Sequence, residues 1–208
     1  MSNVVPDPAG TPPQTARLLN LANGLTMVRL ALVPVFAAIL FHQGGSDHAW
    51  RLAACAVFVV ASLTDRVDGD IARRRGLVTD FGKLADPIAD KALTGTALVA
   101  LSMLDELAWW VTVVILTREI GVTLLRFWVI RHGVMPASRG GKIKTTVQGV
   151  AIGLYLLPLP EWMSVLAGTV MGAAVLLTLA TGADYVLRAV NLRRAGTGSA
   201  AGESGGPR

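Results

Sequence analysis

The chain has 208 residues, 52% of them hydrophobic and 16% charged, whereas soluble domains carry roughly a quarter charged residues. That composition belongs to a membrane protein and leaves no room for an additional soluble domain. Lys and Arg outnumber Asp and Glu by 19 to 14, giving a net charge of +5. No folded basic domain exists to present that charge to nucleic acid, so anionic lipid headgroups are its expected counterpart.

In chain order, residues 1–16 are rich in Pro and Thr, lack the basic start and apolar core of a signal peptide, and read as a disordered leader. Residues 17–195 form one membrane domain. Its apolar stretches run from Leu25 to Phe41, Leu52 to Leu63, Ala92 to Leu104, Leu107 to Leu116 and on to Ile130, Val147 to Leu157, and Trp162 to Ala180. Six spans of about 20 residues with short connections use nearly all of that length. The single cysteine, Cys55, sits within the second stretch as a small buried side chain, which excludes a disulfide framework or a thiolate metal site. Residues 196–208 are Gly, Ser and Ala with few apolar groups, and read as a disordered tail.

Basic residues are one-sided. Arg17, then Arg73, Arg74, Arg75, Lys83 and Lys91, then Arg131, Arg139, Lys142 and Lys144, and finally Arg188, Arg193 and Arg194 all fall on one side of the expected spans. The opposite connections, HQGGSDHAWR, LDELAW and PLPEW, hold only Arg51, with Trp50, Trp109, Trp110 and Trp162 as interfacial anchors. The positive-inside rule therefore puts both termini in the cytoplasm. His42, His48 and His132 lie at span ends, without metal-ligand spacing.

Polar residues also cluster at one end of every span: Arg29 in the first, Asp65 and Asp68 in the second, Asp86 and Asp90 in the third. Arg118, Glu119 and Arg126 follow in the fourth, Lys142 and Lys144 in the fifth, Asp184 and Arg188 in the sixth. Charges at that depth cost several kcal/mol unless paired or facing water. The expected fold is therefore an all-α, six-helix transmembrane bundle with a polar chamber on its cytoplasmic side.

Six of the 14 acidic residues fall between Asp65 and Asp90. Asp65 and Asp68 are three apart and Asp86 and Asp90 four apart, so each pair shares a helix face. Oxygen donors of this kind suit hard cations, Mg²⁺ or Mn²⁺, and not zinc. Gly69 leaves space for a ligand to approach the backbone, and Arg73 supplies a planar fork suited to phosphate.

These residues realise the pattern D-x2-D-G-x2-A-R-x8-G-x3-D-x3-D through Asp65, Asp68, Gly69, Ala72, Arg73, Gly82, Asp86 and Asp90. The stretch resembles the CDP-alcohol phosphatidyltransferases at every fixed position. NLANGLTMVRLALVPVF looks like that family's opening helix, while TREIGVTLLR and GGKIKTTVQ are similar to its phosphatidylglycerophosphate synthase branch. The resemblance implies a multi-pass enzyme of the bacterial plasma membrane, a homodimer, with its active site facing the cytoplasm. Asp65, Asp68, Asp86 and Asp90 would hold two metal ions, with Asp65 and Asp86 bridging and Asp90 also accepting the proton. Gly69, Arg73 and Thr79, helped by Asn23 and Thr26, would bind CDP-diacylglycerol. Arg66 and Asp70 depart from residues frequent in this branch, outside the fixed positions.

The acceptor must be read from other residues. Arg118, Arg126, Arg139, Lys142 and Lys144 form a second basic group able to clamp a phosphorylated acceptor, glycerol 3-phosphate. The bland alternatives are topology signals for Arg139, Lys142 and Lys144, and pairing with Glu119 for Arg118. Competing functions are inositol phosphate or phosphatidylglycerol as acceptor within the family, a prenyl-diphosphate enzyme, and a cation transporter. The chain lacks the contiguous DDxxD of the third and the internal repeat expected of the fourth.

Overall fold

The computed structural model describes residues 21–74, 80–129 and 139–202, with side chains within 26–64, 88–125 and 140–188. Among the described residues there are six α-helices and no strand. They are α1 (Leu21–Leu40), α2 (His48–Arg74), α3 (Asp80–Met103), α4 (Trp109–Val129), α5 (Arg139–Leu156) and α6 (Ser164–Gly202). All six expected apolar stretches are helical, and most helices run beyond them into polar sequence. Helix α2 passes through Asp65 and Asp68 to Arg74, and α3 begins at Asp80, well before Ala92. Helix α6 continues past Gly196 to Gly202, beyond the start expected for the disordered tail. Residues 1–20 lie outside the described residues.

Helix α3 is central, packing against α1, α2, α4 and α5, while α6 lies against α4 and α5. The core is built from Phe36 and Leu40 of α1, Phe58 of α2, Leu98 and Leu101 of α3, Ile115 of α4, and Ile152 and Leu156 of α5. Ala54, Ala61, Ala97, Ala151 and Ala174 are all buried between helices, where a small side chain lets backbones approach closely. Cys55 is buried among them, as expected.

The outside is apolar too. Val60, Met103, Val113, Leu124 and Leu176 are each more than half exposed. Among the described residues one segment, Glu161–Arg188, is long and apolar enough by itself to cross a bilayer, and Thr26–Leu40 and His48–Thr64 are shorter apolar helices.

One end of the bundle is tied by short turns. Asp47 caps α2, its Oδ1 accepting from Ala49 N at 2.8 Å and Trp50 N at 3.0 Å. In the preceding turn Gly45 has φ +74°, and a Cβ there would lie 2.7 Å from Leu104 Cδ1 in the α3–α4 turn. Arg51 pairs with Glu106 of that same turn and donates to the last carbonyls of α5, at 2.7 Å to Tyr155 O and 3.5 Å to Leu156 O. Trp50, Trp109, Trp110 and Trp162 are all exposed at this end, and His42 stacks on Trp50 with ring centroids 4.2 Å apart. The aspartate-bearing helix ends lie at the other end.

Candidate active site

The polar end gathers side chains from α3, α4, α5 and α6. Lys144 of α5 is 3% exposed, and its Nζ donates to Glu119 Oε1 of α4. The same oxygen accepts from Arg118 Nη1 at 3.0 Å. Arg118 then reaches across to α6, donating through Nε to Thr178 O at 3.1 Å and through Nη2 to Thr181 Oγ1 at 2.7 Å. Its guanidinium carbon lies 5.9 Å from the Tyr185 ring centroid. Gly182 makes this course possible, since a Cβ there would come within 3.1 Å of Arg118 Cγ.

Helix α3 joins through Lys91, which donates to Thr123 Oγ1, and that hydroxyl donates to Glu119 O at 2.7 Å. Asp90, beside Lys91 on α3, is half-buried. Thr26 and Arg29 of α1 are buried.

The structure divides the basic group read from sequence. Arg118 and Lys144 converge on one carboxylate, so the pairing alternative for Arg118 is the observed arrangement. Lys142 is exposed. Two residues apart on a helix means about 200° of rotation, so Lys142 points away from Lys144. Arg126 and Arg139 are in helical backbone, but their side chains lie outside the described residues.

The same holds for Asn23, Asp65, Asp68, Gly69, Arg73 and Asp86; Thr79 lies wholly outside. Among the described residues no three His, Cys, Asp or Glu gather as a metal site. What the backbone does give is two carboxylate pairs on two packed helices, at i, i+3 and i, i+4 spacing. Such an all-oxygen donor set fits hard divalent cations.

Sequence reasoning missed Thr123, Gln148, Thr178 and Thr181. Gln148 is buried, and its Oε1 and Thr178 Oγ1 have no hydrogen-bond partner among the described residues. The available signal was spacing: Gln148 follows Lys144 by four positions on the same face of α5.

Comparison with known proteins adds to this geometry. Residues 19–180 match the family model of the CDP-alcohol phosphatidyltransferases. The chain is 59% identical over 175 residues to the "Probable phosphatidylglycerophosphate synthase" of Mycobacterium tuberculosis strain H37Rv, covering 84% of each chain. It is 38% identical over 181 residues to the "CDP-diacylglycerol–glycerol-3-phosphate 3-phosphatidyltransferase" of Bacillus subtilis, covering 81% of this chain and 94% of that one. A protein of the same name from Rickettsia felis is 37% identical over 171 residues, covering 80% of this chain and 93% of the relative. With a family model spanning residues 19–180 and relatives at 59% and 38% identity covered over most of their length, the chain belongs to the CDP-alcohol phosphatidyltransferase family.

Proposed function

We propose that this chain, at the polar end of its bundle, moves the phosphatidyl group of CDP-diacylglycerol to sn-glycerol 3-phosphate. The products are phosphatidylglycerophosphate and CMP. The names of relatives at 59% and 38% identity support this reaction. The structural observation that carries it is the buried Lys144–Glu119–Arg118 cluster, which lies at the same end of the bundle as the aspartate-bearing start of α3. An acid-lined donor site and a cationic acceptor site then share one end of the bundle.

Asp65, Asp68, Asp86 and Asp90 hold two divalent cations, Mg²⁺ or Mn²⁺, which supply charge neutralisation for the donor's pyrophosphate. Gly69, Arg73 and Thr79, with Asn23 and Thr26, bind the cytidine diphosphate. Asp90 takes the proton from the attacking hydroxyl of the acceptor, which must come within hydrogen-bond reach of it. Arg118 and Lys144 receive the acceptor's phosphate; Arg126, Arg139 and Lys142 add to the field that draws it in.

The helices span the bacterial plasma membrane with both termini and the site on the cytoplasmic side. The exposed apolar faces support this, as do the tryptophans collected at the opposite end. Gly168 and Gly172, one turn apart in the run GTVMGAAV of α6, give a small-residue face suited to close helix pairing in a homodimer.

The test is CMP release by purified protein from CDP-diacylglycerol with glycerol 3-phosphate, inositol phosphate, phosphatidylglycerol or glycerol as acceptor. Glycerol 3-phosphate is expected to be used best, and chelation to stop the reaction until Mg²⁺ or Mn²⁺ is restored. Preference for inositol phosphate or phosphatidylglycerol would move the chain to another branch of the family. Absence of CMP release with every acceptor would refute the reading.

A further inference from the structure

We propose that Glu119 is the positioning residue of the acceptor site: one carboxylate oxygen holds Lys144 of α5 beside Arg118 of α4, so that the two cations meet the acceptor's phosphate as a prearranged pair. The proposal rests on the reading of a phosphorylated acceptor given above.

The two cations are held in different ways. Arg118 is fixed mostly by α6, through Thr178 O, Thr181 Oγ1, the Tyr185 ring and the space left by Gly182, with only Nη1 on Glu119. Lys144 is a point charge on a flexible stem. Its hydrogen bond among the described residues is the one to Glu119, although it is buried. Without that carboxylate, two like charges from two helices would face each other across a poorly hydrated gap and separate.

Donors remain for a second anion. A lysine ammonium has three N–H groups and an arginine five, and Lys144 uses one on Glu119 while Arg118 uses three in all. The trio carries a net positive charge, ready for a phosphate monoester. Thr123, one turn after Glu119 on α4, accepts from Lys91, the neighbour of Asp90 on α3, so the cluster's helix is also tied to the helix that carries the acids.

The experiment is steady-state kinetics on the full chain in phospholipid micelles, varying glycerol 3-phosphate and CDP-diacylglycerol in turn, for wild type, Glu119→Gln and Glu119→Asp. Inorganic phosphate serves as a competing probe. Glu119→Gln is expected to raise the KM for glycerol 3-phosphate and the Ki for phosphate together, each by about tenfold or more, with the donor KM within twofold. Glu119→Asp, which keeps the charge, is expected to recover most of both. Equal rises in the two KM values, a loss confined to kcat, or no recovery in Glu119→Asp would overturn the positioning role. Failure of the wild type to use glycerol 3-phosphate would instead remove the acceptor assignment on which the role depends.

Discussion

Replacing Arg118 and Lys144 with methionine in turn compares a residue that makes three bonds and reaches across to α6 with one whose single bond among the described residues is to Glu119 of α4. The guanidinium makes three hydrogen bonds, of 3.1 Å to Thr178 O, 2.7 Å to Thr181 Oγ1 and 3.0 Å to Glu119 Oε1. None of the partners is orphaned by the change. Thr181 Oγ1 still donates to Leu177 O at 2.7 Å, and Glu119 keeps Lys144. Each bond involves a charged group and is then worth about 1.5–3 kcal/mol, of which methionine recovers part by filling the volume over Tyr185, so the loss is about 4–6 kcal/mol. For a chain of this length that lowers Tm by roughly 10–20 °C. Lys144→Met cuts no tie to α6 and should lower Tm by less than half as much. Both variants lose one charge-assisted bond to the acceptor's phosphate, about 1.5–3 kcal/mol, and so should raise its KM by about tenfold or more. Thermal unfolding followed by tryptophan fluorescence, alongside acceptor kinetics, reads both quantities. If Lys144→Met destabilises as much as Arg118→Met, or leaves the acceptor KM unchanged, the division of roles argued here is wrong.

Asp90→Asn should abolish turnover while CDP-diacylglycerol still binds, as measured by equilibrium binding of labelled donor; wild-type turnover would remove Asp90 as the base. Gly45→Ala should cost about 1–3 kcal/mol, since φ is +74° there and Leu104 occupies the Cβ position. Because Gly45 is far from the aspartates, both KM values should stay put in that variant, and a selective acceptor defect would contradict the two-ended architecture. In a Cys55→Ala background, a cysteine at exposed Ser46 should react with a membrane-impermeant maleimide on intact cells. One at exposed Lys142 should react only after the membrane is opened. The reverse pattern would overturn the cytoplasmic placement of the site.

The helices were legible in sequence because each apolar run marks one element, and the acid pairs because their spacing matches a helix face. Boundaries were less so. The apolar run of α2 stops at Leu63, yet the helix continues through the polar motif to Arg74, because periodicity of apolar residues marks the buried length of a helix and not its end. The basic group was legible as composition but not as geometry. Lys142 and Lys144 look equivalent in GGKIKT, and only the helical phase of α5 turns one outward while burying the other. The role of Arg118 depended on Gly182 and Thr181, more than 60 residues away, and no local pattern links them. Arg51 shows the same limit. Its sequence context marks only the sparse basic side, whereas the fold makes it a fork joining the start of α2, the α3–α4 turn and the end of α5.

The contrast between the two ends follows from what holds helices together in lipid. Apolar side chains gain nothing from leaving a hydrocarbon solvent for one another, so association rests on close packing and on hydrogen bonds between helices. At the Arg51 end those bonds run between a fixed guanidinium and backbone carbonyls that α5 would otherwise leave unsatisfied, with no ligand called upon. At the other end, among the described side chains, one carboxylate, Glu119, faces two buried cations, Lys144 and Arg118. A site that must receive an anionic acceptor cannot neutralise its own cations fully, and the stability it forgoes has to come from elsewhere. The interlocked turns around Gly45, Leu104 and Arg51 supply it at the end where nothing needs to bind, which is why their disruption should be felt in Tm and not in KM.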